Sequence, residues 1–219
     1  MPGKGDPSDW IRRWLGPGQT AIDVGANVGI HSATMAEQVG ATGRVIACDP
    51  DARCWLPWRE RCFHYPWASL FGFACGEETC YALPFFEDLA GHETSSRYQA
   101  LLKDPKSVSR IVDQRRLDDL TETADLVKID AQGADALVLL GAVRLLVSCP
   151  YWIVEVWPWG LAHAGSSAGM IWSRLAGNRV VRHAGTEAII TESDAWNYQT
   201  RFAQEATKQE HVNWVAERS

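Results

Sequence analysis

Residues 20–40 read TAIDVGANVGIHSATMAEQVG, and the reading of this stretch decides the fold. A short apolar run ends on Asp23, a turn with glycines at 25 and 29 follows, and an amphipathic helix then closes at Gly40. A strand that passes through a glycine turn into a helix is the opening unit of a parallel α/β sheet. The same alternation continues downstream. RVIACDPD (44–51) predicts a second buried strand ending on acids, followed by a helix from Ala52 to about Cys62 and a third strand over 69–74. DLVKIDAQG (125–133) predicts a fourth strand with a helix over 134–147 after it. YWIVEVWP (151–158) predicts a fifth, with a helix over 167–175. The tail offers RVVRHAG (179–185) and AIITES (188–193) as strand candidates, a helix over 194–205 and a last strand over 211–216. Upstream, a short helix over 8–15, capped by Ser8, puts Trp10, Ile11, Trp14 and Leu15 on one face before Gly16-Pro17-Gly18 ends it. The segment 77–96 has no helical period and is rich in turn residues, so it reads as a hairpin or loop excursion. The expected fold is one α/β domain over 1–219, a mostly parallel, doubly wound sheet with helices on both faces.

Ligands of such sheets bind at the carboxyl ends of the strands, near the point where strand order reverses. The predicted strands end on Asp23, Asp49, Asp130 and Glu155. One acid at a strand end is unremarkable, but acids at four ends of the same edge argue for a site. The turn DVGANVG (23–29) carries GxxxG rather than the GxGxxG that cradles a dinucleotide pyrophosphate. Asp23 before it would repel a diphosphate and could hold an ammonium group. Asp49 follows 26 positions later (49 − 23), where a carboxylate can accept ribose hydroxyls. A cofactor with a ribose and a cationic tail, such as S-adenosylmethionine, fits these acids better than NAD.

Composition narrows the classes further. The 219 residues are 46% hydrophobic and 22% charged, which suits a globular chain and excludes a disordered one. The net charge of −6 argues against nucleic acid as the main partner. No stretch has the ~18 uninterrupted apolar residues of a membrane span, and the first residues lack the apolar core of a secretory signal. Six cysteines form no CxxC pair, so they read as small buried hydrophobes of a cytoplasmic protein, and no ligand spacing calls for a metal. Eleven tryptophans fall in groups along the chain: Trp10, Trp14 and Trp152 lie on apolar faces and are expected in the core. Trp157 and Trp159 follow the fifth strand, where an acceptor should lie, and their indole faces suit a sugar or a flat ring.

Four separated motifs in order carry a family resemblance: DVGANVG, CDPD after the second strand, VDQRRLDDL (112–120), and LVKIDAQGADALVLLGAVRLL (126–146), with IVEV (153–156) after them. Over about residues 18–157 the chain resembles the FkbM-type methyltransferases. The resemblance implies a class I fold and an S-adenosylmethionine-dependent methyltransferase that yields S-adenosylhomocysteine, acting most often on a hydroxyl of a sugar, glycan or other natural product. It implies that Asp23, Gly25, Ala26, Asn27 and Gly29 line the methionine arm and that the Asp49-Pro50 pair meets the ribose. It places Ala74 and Cys75 near adenine and Asp130 facing the transferred methyl. One departure stands out: Gln132 occupies the position where the family has Glu after KIDx, and Asp135 replaces a later Glu.

Methyl transfer to an alcohol needs alignment and a base. Asp130 is the first candidate for that base, Glu155 the second, and His92 in the loop GHETSS the third. Gln132, Trp157 and Trp159 are candidates for holding the acceptor. Two competing functions are a catalytically weakened S-adenosylmethionine-binding module, suggested by Gln132, and an RNA or protein methyltransferase. The negative charge opposes RNA, and the NPPY-like loop of protein N-methylation is absent.

Overall fold

The computed structural model describes residues 5–91, 95–101, 107–204 and 209–218. Strands β1 (Thr20–Val24), β2 (Arg44–Cys48) and β3 (Ala68–Phe71) run parallel, with α2 (Ile30–Val39) and α3 (Ala52–Cys62) as their crossovers. α1 (Pro7–Trp14) packs on α2. Its cap is Asp6, whose side chain accepts from the Ser8 amide at 2.8 Å, and not Ser8 as expected. Pro7 suits the first helical position, so the helix begins one residue earlier and draws Ser8 into its first turn.

The chain then leaves the sheet. The third strand stops at Phe71 rather than at 74, and β4 (Ala74–Cys75) joins β5 (Cys80–Glu87) and β6 (Val108–Arg115) in a separate three-stranded sheet. Within the expected excursion over 77–96, β5 is thus one arm of an antiparallel pair whose other arm, β6, overlaps the VDQRRLDDL motif. Much of β6 is exposed, so it lacks the apolar alternation by which a half-buried strand is read.

The chain returns to pair β7 (Leu126–Ile129) with the far side of β1, so strand order reverses between them. The helix expected over 134–147 is two helices, α4 (Asp135–Leu140) and α5 (Val143–Ser148). A Cβ at Gly141 would meet the Gly76 carbonyl, and the Asp118 carboxylate accepts from the amides of Arg144 and Leu145 at 2.9 and 3.1 Å. A remote acid therefore restarts the second helix. β8 (Tyr151–Val156) pairs parallel to β7, and α6 (Pro158–His163), which the sequence reading omitted, follows. α7 (Ala168–Leu175) is capped by Ser167. β9 (Arg179–His183) is a strand, but AIITES is not. Ile189 makes a single bridge to Arg182, and Thr191 opens a capping box with Asp194 that starts α8 (Glu192–Phe202) two residues early. Glu205, the expected end of that helix, lies outside the described residues. β10 (Val212–Arg218) inserts antiparallel between β8 and β9, completing the order β3-β2-β1-β7-β8-β10-β9.

Apolar layers cover both faces. Ile22 and Val24 of β1 face Val138, Leu139 and Ile171, while Ala21 faces Met35 and Val39 together with Trp10 and Ile11. Period-2 alternation thus turns Asp23 toward α2. Trp10, Trp14 and Trp152 are buried in these layers, Trp14 stacking on Tyr151 with ring centroids 4.8 Å apart. The six cysteines form no disulfide, and all but Cys80 are buried. Among the described residues no helix is long and apolar enough to cross a membrane.

Candidate active site

A cleft of about 730 Å³ opens at the carboxyl ends of β1, β2, β7 and β8, on either side of the reversal of strand order. Its floor is the β1–α2 turn. Gly25 has a φ of 70°, and a Cβ there would run into the Asp130 carbonyl, so glycine lets the turn press against the end of β7. The amides of this turn are all engaged. Gly25 and Ala26 donate to the Cys48 carbonyl at 3.0 and 3.1 Å, Asn27 to Asp49 Oδ2 at 2.7 Å, Val28 to Asn27 Oδ1 at 2.7 Å and Gly29 to the Ala26 carbonyl at 2.9 Å. Gly29 lies off the cleft wall, because its Cα packs against the Trp58 indole.

Asp49 stands at one end of the cleft, beside Pro50, Ala74 and Cys75. Each of its oxygens accepts a backbone N–H, Oδ2 from Asn27 and Oδ1 from Asp51 at 2.9 Å. Burial outweighs those bonds and pushes its pKa up to about 6. Asp51 is held separately: Arg53 and the Ser95 hydroxyl bind its carboxylate.

Asp23, expected on the methionine arm, lies beneath the floor and does not line the cleft. Its Oδ2 accepts from Ser32 Oγ at 2.6 Å, and Ser32 in turn accepts from Trp58 Nε1 at 2.9 Å. Its Oδ1 is 3.3 Å from Lys128 Nζ. Lys128 also lies 3.7 Å from Asp130 Oδ2 and donates to the Gly25 carbonyl at 3.3 Å. Burial alone would depress the Lys128 pKa, but Asp23 and Asp130 together carry it above the usual lysine range.

At the far end, Asp130 and Glu155 meet across Gln132. The Gln132 amide donates to Asp130 Oδ1 at 2.8 Å and to Glu155 Oε2 at 3.4 Å. Gln132 adopts a φ of 48°, in a turn wound around the buried Asp135 carboxylate, which accepts from the amides of Ala131 and Gly133 at 2.7 and 3.1 Å. Burial raises the Asp135 pKa to about 7. Burial also pushes on Asp130, yet Lys128 and the bonds from Gln132 and Glu155 outweigh it and hold Asp130 below its ordinary value. Glu155 goes the other way: burial and the Asp130 and Asp135 carboxylates drive it well above the carboxylate range. His211 Nε2 approaches Glu155 Oε1 to 3.7 Å.

Trp157 and Trp159 close this end, their ring centroids 5.6 Å apart, in a cluster with Leu101 and Tyr98. The structure therefore brings Asp49, Asp130, Glu155, Gln132 and both indoles to one cleft, and leaves Asp23 and Gly29 behind its wall. His92 lies outside the described residues. Sequence reasoning missed Lys128, although a lysine inside the apolar strand LVKI was a readable sign of a buried partner. It also missed His211, which reaches the cleft only because β10 inserts beside β8. His31, just inside α2, also lines the cleft, and burial lowers its pKa.

The chain matches the methyltransferase FkbM domain over residues 23–185. No curated protein matches it significantly. Among solved structures, a Streptococcus mutans protein described as a methyltransferase, in complex with SAH, superposes with a TM-score of 0.54 and 10% identity, over 97% of this chain and 96% of that one. An rRNA methylase from Streptococcus thermophilus gives 0.52 and 11%, over 97% and 93%. A SAM-dependent methyltransferase from Aquifex aeolicus gives 0.50 and 16%, over 99% and 91%. At these identities the likeness is one of fold.

Proposed function

The chain belongs to the FkbM methyltransferase domain family and is an S-adenosylmethionine-dependent methyltransferase; from that premise we propose that it methylates a hydroxyl of a sugar, glycan or other natural product, with Glu155 as the base. The observation that carries the cofactor reading is the turn whose amides are all engaged. With Gly25, Ala26, Asn27, Val28 and Gly29 already donating within the protein, no amide nest remains for a pyrophosphate. What the turn offers instead is the Gly25 carbonyl, flanked by the carboxylates Asp49 and Asp130. Acceptors of this kind suit ribose hydroxyls at one end and positive charge at the other.

The bound cofactor supplies an electrophilic methyl on a cationic sulfur. Asp49 would accept from the ribose, its orientation set by two backbone amides. Ala74 and Cys75 would flank adenine. Asp130 and the Gly25 carbonyl would face the cationic arm, with Lys128 holding Asp130 from behind. The two acids at the methyl end then divide the work. Asp130, its pKa lowered, is a weak base and a good counter-charge. Glu155, its pKa raised, is nearer to what a base needs at neutral pH. This ordering places Glu155 ahead of Asp130, the reverse of the expectation from sequence. Gln132 serves here as a donor to both acids, so the carboxylate that the family carries at this position is not required as a base. Trp157 and Trp159 would hold the acceptor against the Glu155 edge.

A glycan and polyol panel with labelled methyl donor identifies an acceptor, and variants then test the roles. Glu155→Gln is expected to keep S-adenosylhomocysteine binding while lowering turnover by ~10²–10⁴. Full turnover in Glu155→Gln, with loss in Asp130→Asn, would return the base to Asp130.

A further inference from the structure

Among the described residues, the methyl end of the cleft holds more acid than its neighbours neutralise. The charge of Lys128 is already divided between Asp23, 3.3 Å away, and Asp130, 3.7 Å away, before Glu155 and Asp135 are counted. Glu155, next to last in β8, lines the cleft and is buried. The groups facing it come from several elements: Lys128 and Asp130 from β7 and its end, Asp135 from α4, Tyr198 from α8 and His211 ahead of β10. Among these, Lys128 alone carries a fixed positive charge. A further ionised carboxylate here would sit unbalanced in a poorly hydrated site, where like charges raise one another's affinity for protons.

We propose that Glu155 carries a proton in the free enzyme, sheds it when the cationic cofactor fills the cleft, and takes one back from the acceptor as the cofactor loses its charge. This rests on the cofactor reading above. A sulfonium beside Asp130 and Glu155 supplies the missing positive charge, so the ionised Glu155 becomes tolerable only then. Burial and the neighbouring Asp130 and Asp135 carboxylates, which raise the proton affinity of Glu155, support the first state.

The cycle balances. One proton leaves for solvent on S-adenosylmethionine binding, past His211 at the rim. In the transfer, the acceptor oxygen bonds to the methyl carbon, the carbon–sulfur bond breaks with its electron pair left on sulfur, and the hydroxyl proton moves to a Glu155 oxygen. Neutral S-adenosylhomocysteine then leaves an enzyme already protonated at Glu155. The base is therefore armed by substrate cofactor and disarmed by product, and no separate proton-release step follows the chemistry.

Calorimetry with the full chain tests this without an acceptor. Titrations of S-adenosylmethionine and S-adenosylhomocysteine in two buffers of different ionisation enthalpy count protons at pH 7. Roughly one more proton should be released with S-adenosylmethionine than with S-adenosylhomocysteine. Both ligands carry the same amino acid and ribose, so the difference isolates the sulfonium. Glu155→Gln should bind both and abolish the difference, whereas Asp135→Asn and His211→Gln should keep it. Equal proton counts in the native chain, or a difference that survives Glu155→Gln, would overturn the proposal. If Glu155→Gln does not fold, the native chain suffices: its preference for S-adenosylmethionine over S-adenosylhomocysteine should increase as pH rises, by up to about tenfold per unit, and level off above the Glu155 pKa of the free enzyme. A preference that stays flat from about pH 5.5 to 8.5 overturns it. Failure of both ligands to bind would instead overturn the cofactor reading itself, and this proposal with it.

Discussion

Asp49 and Asp130 directly follow β2 and β7, the strands on either side of β1, and face the same cleft, yet the protein holds them by different means. Asp49 is gripped by main chain, an amide on each oxygen. Asp130 is gripped by side chains, Lys128 and Gln132, and through Gln132 is tied to Glu155. Burial moves Asp49 up while Lys128 brings Asp130 down. A carboxylate fixed by backbone has one geometry and suits a binding role. A carboxylate fixed by other ionisable groups shares its protons with them, which suits chemistry.

The difference can be broken most violently at Lys128. Lys128→Met leaves Asp23 buried without its cation and should cost about 3–5 kcal/mol in denaturant unfolding. An unchanged midpoint would mean that the pair contributes nothing to the fold. Asp49 gives the next largest effect, and in binding rather than folding. Asp49→Ala should weaken S-adenosylhomocysteine binding by ~1.5–3 kcal/mol in calorimetry. Because its folded pKa, about 6, lies above the unfolded value, the free protein binds more protons folded than unfolded between those values. Its contribution to stability is therefore fully present below the unfolded pKa and lost as pH rises through about 6. Cofactor affinity should run the opposite way, falling as the carboxylate protonates below about 6, and Asp49→Asn should flatten both profiles. The smallest effect is expected at Gln132. Gln132→Glu replaces a donor with a third carboxylate between Asp130 and Glu155, and should lower the melting stability by ~1 kcal/mol at pH 7, less in acid. Equal loss at both pH values would show that the amide bridges nothing.

The sheet was legible wherever local pattern determined it. The helix after the second strand runs over Ala52–Cys62 as read, because Asp51 caps it locally. Errors arose where a distant residue decided. Asp118 restarts α5 after Gly141, and the exposed β6 has no apolar alternation to betray it. The site follows the same rule. Strand-end acids could be named from sequence, but that Asp23 is shut off from the cleft depends on Ser32, Trp58 and Lys128 closing around it. Lys128 left a local sign. His211 left none, since its place depends on β10 pairing with a strand far upstream.

That pairing has a kinetic side. Val212 lies opposite Val156, 56 positions earlier (212 − 156), and between them the chain must still form α6, α7, β9 and α8. During synthesis, therefore, the edge of β8 stands open while YWIVEV waits for a partner that has not yet been made. An unpaired apolar strand edge is a template for association with other chains. In the nascent chain, β10 is thus the piece that ends the hazard, and the seam it closes is the one that brings His211 to Glu155.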